Sequence, residues 1–258
     1  MEKILNLAAI GADETVLEIG SGLGLLTERI AERAGRVLAV EIDPELSGIL
    51  RRRLGQAGNV EILNRDILKV DPSEWTSRAG SGRLKVIGNI PYNISSPILF
   101  RLLAQRSAIS SATVMMQREV ADRLTADCDC KEYGIPTVLF AVHTRISGGI
   151  QVPPSCFFPP PRVHSKVLRF DFLDEPATPL SDEPFFTRVV RTSFAMRRKT
   201  LFNCLRRTDV APEGDDELRR LLDAARIDAT RRAETLTPGE FGRLSNILWE
   251  EKRIAAKG

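Results

Sequence analysis

Short apolar runs alternate with stretches of helical period over the first two-thirds of the chain. Thr15–Ile19, Arg36–Val40, Val60–Leu63, Leu84–Gly88 and Ala112–Met116 are of strand length. Between and after them, Leu25–Ala34, Pro44–Leu54, Ser96–Ala104 and Arg118–Thr125 carry apolar residues at helical spacing. Strands that are apolar throughout are buried on both faces, and their alternation with helices implies a parallel sheet covered on both sides. Thr137–Val142 and Val167–Phe172 read as two further strands, separated by the Pro-rich segment Val152–Pro161 and by no helix-length pattern. They are expected to pair as a long-looped antiparallel hairpin at the sheet edge. Asp174–Pro179 reads as a linker. Beyond it Pro184–Met196, Arg198–Arg206, Asp216–Ala225 and Pro238–Lys252 read as helices, the last opening with Pro238 and with Glu240 in its first turn. The pattern predicts an α/β domain over residues 1–175 and a small all-α domain over residues 180–258.

Composition narrows the class. With 258 residues, 43% hydrophobic and 28% charged, the chain has the make-up of a soluble globular protein. No apolar run approaches bilayer length, and no basic-then-apolar leader is present, so a cytoplasmic protein is expected. Cys128, Cys130, Cys156 and Cys204 fit neither a paired-CxxC zinc site nor a disulfide framework, and His143 and His164 are the only histidines. No metal site is expected. The net charge of +3 is unevenly spread: residues 185–258 hold 16 Lys/Arg against 11 Asp/Glu, a balance of +5 beside a near-neutral body. Such a segment suits a polyanionic partner, although solvated helix faces account for the same residues.

Candidate chemistry gathers at the ends of the predicted strands. Glu18-Ile19-Gly20-Ser21-Gly22-Leu23-Gly24 follows the first strand, and its glycines let the backbone turn sharply close to a ligand. Such a loop serves a dinucleotide, S-adenosylmethionine or only a tight turn, and its Gly-x-Gly-x-Gly spacing is not the pyrophosphate fingerprint. Glu41, at the end of the second strand with Ile42 and Asp43 behind it, is placed to accept both hydroxyls of a ribose. Asp66 follows the third strand and can accept from an adenine amine, with Ile67 to pack on the ring. Taken singly, each acid is better explained as a surface or capping carboxylate. The fourth strand ends in Asn89-Ile90-Pro91-Tyr92. Pro91 donates no backbone N–H and biases Ile90 to an extended conformation. The Asn89 amide oxygen and the Ile90 carbonyl then suit an amino group with two N–H donors, and Tyr92 offers a stacking face. Alone, this tetrapeptide reads as a common turn. Four such groups at successive strand ends would all lie along the carboxyl edge of one sheet, where open α/β folds bind ligands.

In these motifs the chain resembles the small-subunit ribosomal RNA adenine N6-dimethyltransferase family, from about residue 4 to about residue 248. The resemblance is carried by Val16–Gly24, Val40–Asp43, Asp66–Leu68, Val86–Pro97, Met116–Ala121, Tyr133-Gly134, the Pro-rich Val152–Val163, and Phe194 with Arg197–Leu201 and Asn203. It implies a Rossmann-like S-adenosylmethionine-dependent methyltransferase sheet with a helical RNA-binding domain. S-adenosylmethionine is the implied donor, held by Gly20, Ser21, Gly22, Glu41, Ile42, Asp66, Ile67 and Asn89. The implied catalytic residues are Asn89, Ile90, Pro91, Tyr92 and Phe157, with Tyr92 and Phe157 sandwiching the target base. The implied substrate is a pair of adjacent adenosines in a 3′-terminal hairpin of small-subunit rRNA, each methylated twice, within an assembling subunit. Arg197, Arg198, Lys199, Arg206 and Arg207 are the expected phosphate contacts, and a monomer is expected. Three departures stand out. Family members carry an Asn-Phe-Leu segment, closing over the donor, ahead of where this chain starts. His164 stands where an Asp is usual, and Ile135-Pro136 is atypical. Competing readings are a large-subunit rRNA adenine N6-methyltransferase of the antibiotic-resistance type and a ribosome-assembly factor without catalysis.

Overall fold

Among the described residues the sheet has seven strands, in the order β3-β2-β1-β4-β5-β7-β6. They are β1 (Thr15–Ile19), β2 (Arg36–Glu41), β3 (Val60–Asn64), β4 (Leu84–Asn89), β5 (Ile109–Gln117), β6 (Thr144–Val152) and β7 (Ser165–Phe172). The computed structural model describes residues 1–79 and 82–255. Strands β1 to β5 are parallel, and β7 runs antiparallel to β5. Val16, Leu17 and Ile19, Val37 to Val40, and Leu84, Val86 and Ile87 are all buried, as unalternated parallel strands require. The intervening helices are α1 (Glu2–Ala8), α2 (Leu25–Ala31), α3 (Pro44–Leu54), α4 (Pro72–Ala79), α5 (Ser95–Ala104) and α6 (Arg118–Leu124). Leu5, Ala8, Val16, Ile30, Ala34, Val37 and Ile87 form one core cluster that seats α1 and α2 on the sheet. At the amino edge, Lys85 pairs with Glu14 at 2.8 Å and donates to the Ala9 carbonyl at the end of α1.

The chain divides into two compact units, residues 1–121 with 145–174, and residues 122–144 with 175–258. The second unit contains α7 (Ile135–His143), α8 (Glu183–Ser193), α9 (Leu201–Leu205), α10 (Asp215–Ala224) and α11 (Pro238–Ala255). Phe185, Phe186, Val189, Val190, Leu221, Leu222, Phe241 and Leu244 form its interior. Tyr133, Phe194 and Phe241 make a run of ring contacts, with centroids 6.1 and 5.8 Å apart.

The edge of the sheet corrects the sequence reading. The run 137–142 is not a strand but the body of α7, and it belongs to the helical unit. The strand beside β7 is β6 at 144–152, so the edge pair is β7 and β6. A short continuous apolar run is the case in which periodicity does not separate a buried strand from a buried helix. Val138, Leu139, Phe140 and Val142 are all buried, and Pro136 suits a first helical turn. True β6 was hidden because Gly148 and Gly149 interrupt it, both at positive φ. The helices α1 and α4 were likewise not read from the sequence.

Candidate active site

The strand order reverses direction between β1 and β4, and the crevice outside their carboxyl ends is where such sheets hold ligands. Register places the candidate groups there together. Ile19 pairs with Val40 and with Gly88, Glu41 with Asn64, and Asn89 with Met115. Gly20, Gly22 and Gly24 all adopt positive φ (+74°, +54° and +81°), which lets the loop fold back over the β1 end. A Cβ on Gly20 would stand 3.2 Å from the Asn89 carbonyl oxygen, tighter than ordinary van der Waals contact, and at a φ that side chains rarely adopt.

Glu41 braces this loop. Its Oε2 accepts from the Gly22 N–H at 2.8 Å and its Oε1 from the Asp43 N–H at 2.9 Å. Each oxygen keeps a lone pair, so the carboxylate can still receive two hydroxyls. Asp66 caps the turn Ile67–Lys69 through Oδ1, which accepts from the Leu68 N–H at 2.9 Å. Ile67 is buried, whereas Ile42 is 63% exposed. At the end of β4, the Ile90 N–H donates to the Met115 carbonyl at 3.2 Å. The Ile90 carbonyl and the Asn89 side-chain amide meet no partner among the described residues.

Two cavities open at this edge and share Gly20 and Asn89. The smaller, about 190 Å³, is bordered by Glu41, Ile42, Asp66, Ile67 and Pro91. The larger, about 650 Å³, is bordered by Glu18, Ser21, Gly22, Met115, Phe157 and Phe158. Tyr92 and Ile90 border neither. The Tyr92 hydroxyl lies 2.6 Å from Ser165 Oγ, which ties the turn to the start of β7.

Glu18 is the feature that sequence reading passed over. Only 2% exposed, it borders the larger cavity, and its Oε2 has no hydrogen-bond partner among the described residues. Burial pushes its carboxyl up to about 7, and the Glu41 charge adds to the rise. The Thr27 and Ser21 hydroxyls offset part of it. Its place in Glu18-Ile19-Gly20, immediately before the glycine loop, was the available signal.

The basic residues separate into two kinds. Arg197 pairs with Glu234 at 2.7 Å and also donates to the Cys130 and Lys131 carbonyls, so it is engaged inside the helical unit. Arg198, Lys199 and Arg207 are exposed and carry no ion pair among the described residues. Arg206 is exposed as well, with its guanidinium 5.9 Å from the Phe202 ring and 3.9 Å from Asp215. His164 is exposed, and its carbonyl accepts from the Arg118 N–H at 2.9 Å. Among the described residues no helix is long and apolar enough to cross a membrane, and no group of three or more acidic, His or Cys side chains could hold a metal ion.

Residues 1–248 match the model of the ribosomal RNA adenine dimethylase family. A ribosomal RNA small subunit methyltransferase A from Syntrophus aciditrophicus is 45% identical over 96% of this chain and 89% of its own. The protein of that name from Geobacter sulfurreducens is 44% identical over 96% and 90%. Among solved structures, a dimethyladenosine transferase from Plasmodium falciparum superposes with a TM-score of 0.83 at 25% identity, over 98% of this chain and 95% of that one. The 23S rRNA methyltransferase ErmE superposes with a TM-score of 0.72 at 27% identity, over 95% of each chain. The carboxyl-edge site, the sheet order and these likenesses converge: the chain belongs to the ribosomal RNA adenine dimethylase family.

Proposed function

We propose that this protein transfers methyl groups from S-adenosylmethionine to N6 of two adjacent adenosines in the 3′-terminal hairpin of small-subunit rRNA, giving N6,N6-dimethyladenosine. The observation that carries the reading is the Asn89 side-chain amide, without a partner among the described residues, at the border of a cavity that Phe157 also lines, with the unpartnered Ile90 carbonyl next in the chain. The residues present fit the donor. A Cβ at Gly20 would crowd the Asn89 carbonyl oxygen, and a buried carboxyl oxygen of Glu18 stands without a partner at the cavity among the described residues. Glu41 and Asp66 would take the ribose and adenine of the donor, Ile42 and Ile67 the faces of that adenine, and Gly20, Ser21 and Gly22 its tail. Bound there, S-adenosylmethionine supplies an electrophilic sulfonium methyl.

What the chain does is hold the acceptor. An exocyclic amine conjugated with its ring is a poor nucleophile. Asn89 Oδ1 and the Ile90 carbonyl accept its two N–H groups and favour a more tetrahedral nitrogen. Alignment of that nitrogen for in-line attack then carries much of the rate. Phe157 packs on a base drawn from its stack, and Tyr92 supplies the second face once its ring meets the base. The new bond from nitrogen to the methyl carbon would replace that carbon's bond to the donor sulfur, leaving S-adenosylhomocysteine, and the nitrogen would give up one proton to water; one N–H then remains, so the second transfer needs only one of the two acceptors. Arg198, Lys199, Arg206 and Arg207 receive backbone phosphates, while Arg197 holds the surface that carries them. The reading also makes the assembling small subunit the partner, the monomer the working form and the cytoplasm the compartment.

The test is methyl transfer to small subunits that lack the modification, with labelled donor at saturation, followed by nuclease digestion and mass analysis of the nucleosides. Dimethyladenosine in small-subunit rRNA is the expected product. Tight subunit binding with no incorporation would leave an assembly factor, and modification of large-subunit rRNA instead would assign the resistance-type activity. Asn89→Ala is expected to lower turnover by about 100-fold or more, since a misplaced acceptor loses most of the alignment.

A further inference from the structure

We infer that Phe158 is a stacking wedge, whose ring covers the base next to the target adenosine when the target leaves the RNA stack. The inference rests on the reading that a nucleobase enters the larger cavity. Phe158 is 101% exposed, so no part of the protein packs against it, and it stands at the border of that cavity. Its neighbour Phe157 is half-buried and extended, at φ −120° and ψ 152°. One ring is partly covered by the protein and the other is wholly in water, so the two rings serve different surfaces. Pro153 and Pro154 precede this pair and Pro159, Pro160 and Pro161 follow it, which fixes most φ angles around the ring. A large apolar ring fully in water, on a backbone whose neighbouring φ angles are fixed, is poised for a partner.

The chemistry of the site says what that partner is. A base that swings into the cavity leaves its stacking neighbour with a bare aromatic face at the cavity mouth. Apolar side chains inserted at such steps are the usual way to hold an opened stack. The flanking charge fits a nucleic acid. Arg162 lies four residues beyond Phe158, and Arg118 is brought to the same loop by the hydrogen bond from its N–H to the His164 carbonyl. Cations beside an aromatic ring match phosphates beside a base.

The experiment uses small subunits assembled with a synthetic 3′-terminal rRNA segment, with either neighbour of the target left intact or made abasic. Phe158→Ala is expected to bind the intact RNA about 5- to 150-fold more weakly, the range for loss of one aromatic–base stack. Phe158→Trp should restore binding. On the RNA whose covered neighbour is abasic, wild type and Phe158→Ala should bind alike. 2-Aminopurine at the same neighbour should be quenched in the wild-type complex and bright in the Phe158→Ala complex. Melting temperature should not move, because nothing in the protein packs against the ring. Unchanged RNA affinity on the intact segment overturns the wedge, and so does a loss of equal size with and without the neighbouring base. A loss with whole subunits that vanishes with the RNA segment alone assigns the ring to a ribosomal protein and also overturns it. Formation of dimethyladenosine by the wild type is scored separately, so failure of the wedge and failure of the methyltransferase reading are distinguishable.

Discussion

A carboxyl group buried at the end of β1 carries a pH-dependent cost, and Glu18 lets that cost be measured. Its ordinary value is 4.5 and in the folded protein it stands at about 7. Between those values the unfolded chain has released a proton that the folded chain still holds. Folding stability therefore falls as pH rises from 4.5 towards 7, and the deficit is constant above that. A gap of about 2.5 units at about 1.4 kcal/mol each gives roughly 3 kcal/mol. Glu18→Gln keeps the shape and removes the charge. It is expected to melt several degrees above wild type at pH 8 and together with it at pH 4.5. Melting curves that shift in parallel across that range would remove Glu18 as their cause. The places of Asn89, Glu41 and Asp66 were legible in the sequence because the first two end strands and the third follows one by two residues, and strand ends in a parallel sheet share one edge. Glu18 was not, because its burial depends on how Ser21 and Thr27 of the next loop and helix close over it.

At the scale of elements, the parallel strands were legible because each is too apolar to face water. The edge was misread where the chain changes unit. Helix α7 is buried nearly all round, so its sequence lacks the polar stripe that marks a surface helix. What holds it as a helix is local. Thr137 Oγ1 accepts from the Gly134 N–H at 3.0 Å and donates to the Arg123 carbonyl at 2.7 Å, which fixes the first turn and ties it to α6. Thr137→Val has nearly the same shape and loses both bonds. With Thr137 buried, the variant leaves polar groups unsatisfied, at a cost of about 2–4 kcal/mol. Chemical denaturation of the intact chain checks this, and the same midpoint as wild type would show that the turn does not depend on the hydroxyl. Thr137→Ser, which keeps the hydroxyl, should recover most of the loss.

At the scale of the molecule, the +5 balance of residues 185–258 locates a basic region without saying which cations are available to RNA. Arg197, Arg198 and Lys199 look alike as a sequence run, yet they differ in what surrounds them. Arg197 is committed to Glu234 and to two carbonyls of the 122–144 segment, bonds that exist only once the helical unit has folded. Arg198 and Lys199 point their charge at solvent, and Arg207 does the same from a left-handed position at φ 61°. Two separable phenotypes follow. Alanine at Arg198, Lys199 or Arg207 should leave melting unchanged and weaken subunit binding most at low salt. Removing one cation from a phosphate should reduce the slope of log affinity against log salt by roughly 0.7–0.9. Arg197→Ala should instead lower stability by about 1–2 kcal/mol, the scale of a half-exposed ion pair with added carbonyl bonds. It should leave the salt slope nearly intact at temperatures where the protein is folded. A titration series over salt, run beside thermal melts for all four variants, reads both quantities. If Arg197→Ala flattens the slope as much as Arg198→Ala does while melting like wild type, its pairing with Glu234 gives way to RNA and all three residues of the run act as one phosphate-binding surface.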